Sequence, residues 1–287
     1  MDYIKVRTPA KLNLALRVLS LRGDGYHEVA TVMQTISIYD DIKISRRAGT
    51  GVTLSSSLPF LPLDGRNLAA RAAVAFFEAA GFSAGVEIEL LKRIPVGAGM
   101  AGGSANAAGV LMGLNELFGA GFGLDELTEI GRPLGADVAF CLRRGTYLAS
   151  GIGDVLRRVA DMPACTFVVA KPRHSISTPE LYRSFDAFPP PPPPDIAGLI
   201  ASFSAGIEQA APYMANMLEP VAAAQISQIG EMICDLRRAG AIAALMTGSG
   251  SAVFGVFQRS RQAMVCTEAM RKKHIRCFVS PAHPVRE

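Results

Sequence analysis

Four groups of residues in this sequence could do chemistry. The first is the stretch PVGAGMAGGSANAAGVLMGLNELFG, from Pro95 to Gly119. Its opening residues, Pro95, Val96, Gly97, Ala98, Gly99, Met100, Ala101, Gly102, Gly103, Ser104 and Ala105, form a glycine-rich turn leading straight into an amphipathic helix. Five glycines between 97 and 109 let backbone approach a ligand closely, and Ser104 adds a hydroxyl. The unpaired N–H groups of a helix start attract anions, so the combination suits the phosphates of a nucleotide. A tight structural turn is the plainer alternative, though a turn rarely needs so many glycines. The second group is Asp137, in Gly135-Ala136-Asp137-Val138, where small and apolar neighbours partly desolvate the carboxylate. Such a group can orient or deprotonate a hydroxyl; it can equally be a helix N-cap. The third is Lys11, which shares a strand face with Asn13 and either offsets developing charge or is a solvated edge-strand lysine. The fourth is Tyr26-His27, an aromatic face that can stack on a base beside an imidazole that can bond its edge, or a plain surface loop.

Gly97-Ala98-Gly99-Met100-Ala101-Gly102 is also a literal G-x-G-x-x-G. A dinucleotide site needs a strand running directly into the first glycine and an acidic residue about 20 positions on, at a strand end. Here Lys92, Arg93 and Pro95 intervene, and Glu116 and Asp125 fall in or beside expected helices. A Walker A loop is excluded, because no lysine lies between Arg93 and Gly119.

The elements that must hold these groups follow from periodicity. Tyr3–Thr8 alternates, and Lys11–Ser20 alternates more clearly, with Leu12, Leu14, Leu16 and Val18 on one face and Lys11, Asn13, Ala15 and Arg17 on the other. Further strands are expected at 31–39, 41–46 and 86–92, and a helix at 67–80 ended by Gly81. Ala107, Val110, Leu111, Leu114, Leu117 and Phe118 recur at helical spacing until Gly119 stops them. A short helix at 125–131 and a strand at 146–149 close this part, so strands come first and helices follow, an α+β pattern. A second part starts near Val155, with strands at 166–170, 252–257 and 276–280 and helices at 195–205, 221–239 and 260–273. The prolines at 189–194 read as a polyproline II surface loop.

The 287 residues are 49% hydrophobic and 19% charged, which supplies a core and argues against wholesale disorder. The net charge of +4 comes from scattered Lys and Arg, so a nucleic-acid groove is not indicated while a modest pull on small anions is. No signal peptide and no membrane span is expected, and the five cysteines, without a C-x-x-C, read as free thiols of a cytoplasmic protein. No motif speaks to oligomeric state.

Three motifs in order, PAKLNLAL (9–16), PVGAGMAGGSANAA (95–108) and MTGSGSAVFG (246–255), resemble the GHMP kinase superfamily, which includes galactokinase and the homoserine, mevalonate and phosphomevalonate kinases. A finer resemblance, over TPAKLNLALRVLSLRGDGYHEVATVMQTISIYD, LGADVAFCLRRGTYLASGIGD and KPRHSISTPELY, is to the family of 4-diphosphocytidyl-2-C-methyl-D-erythritol kinases. The resemblance implies an α+β, two-domain GHMP kinase architecture. A ribosomal-protein-S5-domain-2-like nucleotide domain (1–154) and a C-terminal α/β sandwich domain (155–287) would enclose the active site in a cleft. It implies a small-molecule substrate carrying a cytidine diphosphate, phosphorylated on its 2-hydroxyl by ATP with Mg2+, in the non-mevalonate route to isoprenoid precursors. By the same resemblance Asp137 and Lys11 are catalytic, residues 95–105 bind ATP, and Ser104 is a metal ligand. Asn13, Tyr26, His27, Thr178 and Tyr182 then bind substrate, with Lys171 nearby, and Asn67 approaches the nucleotide. The sequence departs from the family at Ala101, where glycine is usual, at Ser104-Ala105-Asn106, at Thr247 and in the proline run. The rival readings are another GHMP kinase such as homoserine kinase, which would not need Gly25-Tyr26-His27, and a ligand-sensing homologue, which would lack Lys11 or Asp137.

Overall fold

The protein is described from a computed structural model over residues 2–286; Met1 and Glu287, the outer ends of the two expected domains, lie outside the described residues. Two compact units interleave along the chain. The first takes the residues up to Ala10, then 38–96 and 101–144; the second takes 11–37, 97–100 and everything from Gly145 onward. The expected division at 154/155 follows chain order, whereas these units do not.

Two long paired strands, β1 (Tyr3–Leu21) and β2 (His27–Arg47), pass through both units. Sequence alone splits each of them. Pro9 lies inside β1, where losing one backbone donor does not end the strand, and Asp40 lies inside β2, fully buried.

In the first unit, β3 (Gly51–Ser56) runs parallel to β4 (Gly85–Leu91), which pairs antiparallel with the end of β2, Asp41 opposite Leu91 and Arg47 opposite Gly85. Helix α1 (Leu68–Ala80) begins where Asn67 Oδ1 accepts the Ala69 amide at 3.0 Å and stops at Gly81, which has φ of 70°. Helix α2 (Gly102–Phe118) presses its backbone onto the sheet. A Cβ on Gly109 would stand 2.2 Å from Thr8 Cγ2, and one on Gly113 2.7 Å from Ile44 Cδ1. Gly109, the last of the five glycines counted between 97 and 109, is therefore a packing residue. Helices α3 (Leu124–Gly131) and α4 (Ala136–Arg143) complete the unit. Sequence reading misses α4 because Val138–Leu142 is an unbroken apolar run with no period to count.

In the second unit, the start of β2 pairs with β5 (Thr146–Ser150), which pairs with β6 (Val155–Arg158). A separate antiparallel sheet is built from β7 (Thr166–Lys171), β8 (Ala243–Met246), β9 (Val253–Phe257) and β10 (Phe278–Ala282), in the order β10-β7-β9-β8. Helix α5 (Thr178–Asp186) follows β7, and 189–194 carries no regular structure before α6 (Ile196–Ser202) and α7 (Ile207–Ala210). The single helix expected over 221–239 is two, α8 (Glu219–Gln225) and α9 (Ser227–Arg238), because Ile226 is extended at φ −129° and ψ 95°. The core sets Val168, Ala170 and Phe257 of the sheet against Ile229, Met232 and Leu236 of α9 and Met270 of α10 (Ser260–Lys273).

Candidate active site

Within the second unit the three dispersed motifs meet. On β1, Lys11 is 4% exposed and Asn13 is 2% exposed, so the solvated edge-strand reading of Lys11 does not hold. Lys11 Nζ donates to Asn13 Oδ1 at 2.5 Å, and Asn13 Nδ2 donates to Thr31 Oγ1 on β2 at 2.8 Å. The Asn13 amide donates to Thr247 Oγ1 at 2.9 Å, which ties the first motif to the third. The start of the phosphate loop is the other neighbour. Lys11 N donates to Met100 O at 3.2 Å, and Ala252 N to Ala98 O at 3.3 Å. Ala98 and Met100 are buried anchors, while Val96, Gly97 and Gly103 stay exposed. The two glycine loops touch backbone to backbone: a Cβ on Gly99 would lie 2.3 Å from Thr247 O, and one on Gly248 2.9 Å from Gly99 O. Thr178, at the start of α5, shares a 2.7 Å hydrogen bond with Ser249 of the third motif.

A second cluster in this unit holds the aromatic residues. The His27 ring stacks on Tyr182 with centroids 4.7 Å apart, and its Nε2 is 2.7 Å from Asp186 Oδ1. Tyr26 is 62% exposed beside it. Sequence reasoning misses Asp186. It lies one helical turn beyond Tyr182, but the segment before it reads as turns, so no helical register could be drawn. Pro179, at the first turn of α5, was the available signal.

The first unit holds the rest. Ala101, in the left-handed region at φ 58°, redirects the chain into α2, whose first amides at Gly102, Gly103 and Ser104 have no partner within the helix. Buried Asp40 accepts the Arg93 and Ile94 amides at 2.6 and 2.8 Å and pairs with Lys92, while Lys92 Nζ and Asn106 Oδ1 are 2.7 Å apart. This fully bonded charge pair braces both ends of the turn, and sequence reasoning does not find it. Asp137 is half-buried in the first turn of α4; Gly135, not Asp137, is the N-cap. Ser104 Oγ would lie 3.9 Å from a Cβ on Gly135, so the starts of α2 and α4 face each other with two oxygen donors on them. Among the described residues no cluster of three His, Cys, Asp or Glu side chains could hold a metal by itself. Burial pushes the thiols of Cys165 and Cys266 up to about 12 and about 11, which leaves them inert as nucleophiles.

Known proteins resemble this chain in sequence and in fold. The family profile for the GHMP kinases N terminal domain matches residues 67–145, and that for the GHMP kinases C terminal domain matches 196–276. A curated 4-diphosphocytidyl-2-C-methyl-D-erythritol kinase of Acetivibrio thermocellus is 38% identical over 281 residues, 98% of this chain and 99% of that protein. The chain belongs to the 4-diphosphocytidyl-2-C-methyl-D-erythritol kinase family of GHMP kinases. A crystal structure of a 4-(cytidine 5'-diphospho)-2C-methyl-D-erythritol kinase superposes with a TM-score of 0.82 at 34% identity, covering 98% of this chain and all of that one. The homoserine kinase of Cytophaga hutchinsonii gives a TM-score of 0.77 at 20% identity over 100% of this chain and 95% of that one, a likeness of fold alone. Membership makes the chain a kinase with an alcohol acceptor, ATP as co-substrate and a small molecule as substrate. Among the described residues no helix is long and apolar enough to cross a membrane.

Proposed function

We propose that the chain transfers the γ-phosphoryl group of ATP to the 2-hydroxyl of 4-diphosphocytidyl-2-C-methyl-D-erythritol, giving the 2-phosphate and ADP. The reaction belongs to the non-mevalonate route to isoprenoid precursors, in the cytoplasm, and the family modules are 1–154 and 155–287. One observation carries the reading: Lys11 and Asn13, the loop start 97–100 and the loop 247–250 lie bonded or in backbone contact with one another. Phosphoryl transfer is largely a matter of positioning and charge stabilisation, so such a convergence is what the reaction requires.

In this reading residues 95–105 cradle the ATP phosphates, with the amides of Gly102, Gly103 and Ser104 as donors at the positive end of α2. Asp137 accepts the hydroxyl proton or orients the hydroxyl for attack, and Lys11 offsets the charge that develops on the transferring group. Asn13 holds Lys11 in place and borders the acceptor. Asp186 fixes the His27 ring and leaves Nδ1 for the edge of the cytosine, while Tyr26 and Tyr182 offer aromatic faces and Thr178 a hydroxyl. Ser104 Oγ suits Mg2+, a hard cation that takes few protein oxygens beside phosphates. When bound, the ion neutralises charge on the β- and γ-phosphates.

Phosphorus NMR of the reaction with ATP, Mg2+ and the cytidyl acceptor tests the reading. The expected spectrum gains one phosphomonoester resonance as ADP appears. ADP appearing without that resonance would overturn the acceptor assignment.

A further inference from the structure

The turn before α8 and the first residue of that helix take no direct part in phosphoryl transfer, yet their polar side chains converge on the glycine loop of the third motif. Asn216 is buried, and its Nδ2 donates to Met246 O at 2.9 Å and to Gly248 O at 2.8 Å. Its Oδ1 accepts the Leu218 amide at 2.9 Å, so the donors cannot rotate away. Glu219 Oε2 accepts the Met246 amide at 2.7 Å. Both backbone groups of Met246 and the carbonyl of Gly248 are thus held by two side chains. The same turn is stitched to β1: Leu16 N donates to Ala215 O at 2.9 Å and Met217 N to Leu16 O at 3.1 Å.

We propose that Asn216 and Glu219 are positioning residues for phosphoryl transfer, fixing the 246–248 backbone against Asn13 and the phosphate loop. The inference rests on the kinase reading above. Thr247, which bonds Asn13, and Gly248, which abuts Gly99, both lie in the clamped stretch. The fit between the loops has no slack, because neither Gly99 nor Gly248 has room for a methyl group. A shift of the clamp therefore displaces strand β1 and the phosphate loop relative to each other, and misplacement of about 1 Å can cost roughly 100-fold in rate. Burial pushes the Glu219 carboxyl up, against the Met246 hydrogen bond and the Arg237 charge. A group raised in the folded state costs stability as pH rises through its folded value.

Asn216→Asp keeps shape and the Leu218 acceptor but sets an acceptor against two carbonyls; Glu219→Leu removes the Met246 bond, and Glu219→Gln preserves it. Calorimetric affinity for ATP is measured beside steady-state kinetics, with core variant Ile233→Ala as a control for destabilisation. The expected result is a loss of about 10- to 100-fold in kcat/KM for ATP and weaker ATP binding in Asn216→Asp and Glu219→Leu. Glu219→Gln and Ile233→Ala should stay within about twofold of wild type. If the first two variants also stay within that range, the proposal fails. It fails too if Ile233→Ala shows the same kinetic loss, or if neither Asn216→Asp nor Glu219→Leu folds. Wild-type protein that binds ATP but phosphorylates no acceptor would defeat the functional reading instead, and ATP affinity would then decide the positioning role.

Discussion

The glycines of the phosphate loop and those of the helix after it face different neighbours. Gly99 meets main chain, the Thr247 carbonyl of a second loop, whereas Gly109 and Gly113 meet the side chains of Thr8 and Ile44 on the sheet. The first contact sets the spacing of two loops around a ligand; the second sets the distance of a helix from a sheet. In the sequence the two kinds look alike, since both are small residues in one glycine-rich run. The difference is chemical: a carbonyl cannot repack around an added methyl, while a side chain can turn at some cost in packing.

If the two kinds of glycine differ in this way, substitutions along the run separate activity from stability. The largest effect is expected outside it, at Asp137, where Asn should lower kcat by about 1,000-fold with an unchanged melting temperature. Near-normal turnover would remove Asp137 from the reaction. Next comes Gly99→Ala, whose Cβ has no room beside Thr247 O: kcat/KM for ATP should fall by about 100-fold or more in steady-state assays. Gly109→Ala should behave in the opposite way, losing about 1–3 kcal/mol in denaturant unfolding while the folded enzyme keeps its kcat. A kinetic defect there would merge the two classes of glycine. The smallest effect is Ala101→Gly, which relieves a left-handed conformation and should stabilise by about 0.5–1 kcal/mol in the same unfolding assay.

What the sequence made legible were features with a local cause. Helix α1 has a side-chain cap and a left-handed glycine, and both ends are where those residues place them. The start and stop of α2 are equally plain. Features with a non-local cause stayed hidden. Helices α8 and α9 part at Ile226, where no breaker residue stands. The Asp40–Lys92–Asn106 network joins residues far apart in the chain, and nothing in any one segment announces it. At the site, Lys11 and Asn13 could be named because three motifs are read together, and Asp137 because its own segment, LGADVAFCLRRGTYLASGIGD, resembles the family. Thr31, which bonds Asn13, Asp186, which bonds His27, and the clamp at Asn216 and Glu219 are supplied only by folding.

The acceptor distinguishes this kinase from others of the same fold, and a panel of acceptors reads it out. Purified protein with ATP and Mg2+ is offered the cytidyl methylerythritol, homoserine and mevalonate in turn, and ADP release is followed. Rapid release with the cytidyl substrate alone is the result expected here. Release with homoserine or mevalonate and none with the cytidyl substrate would contradict it.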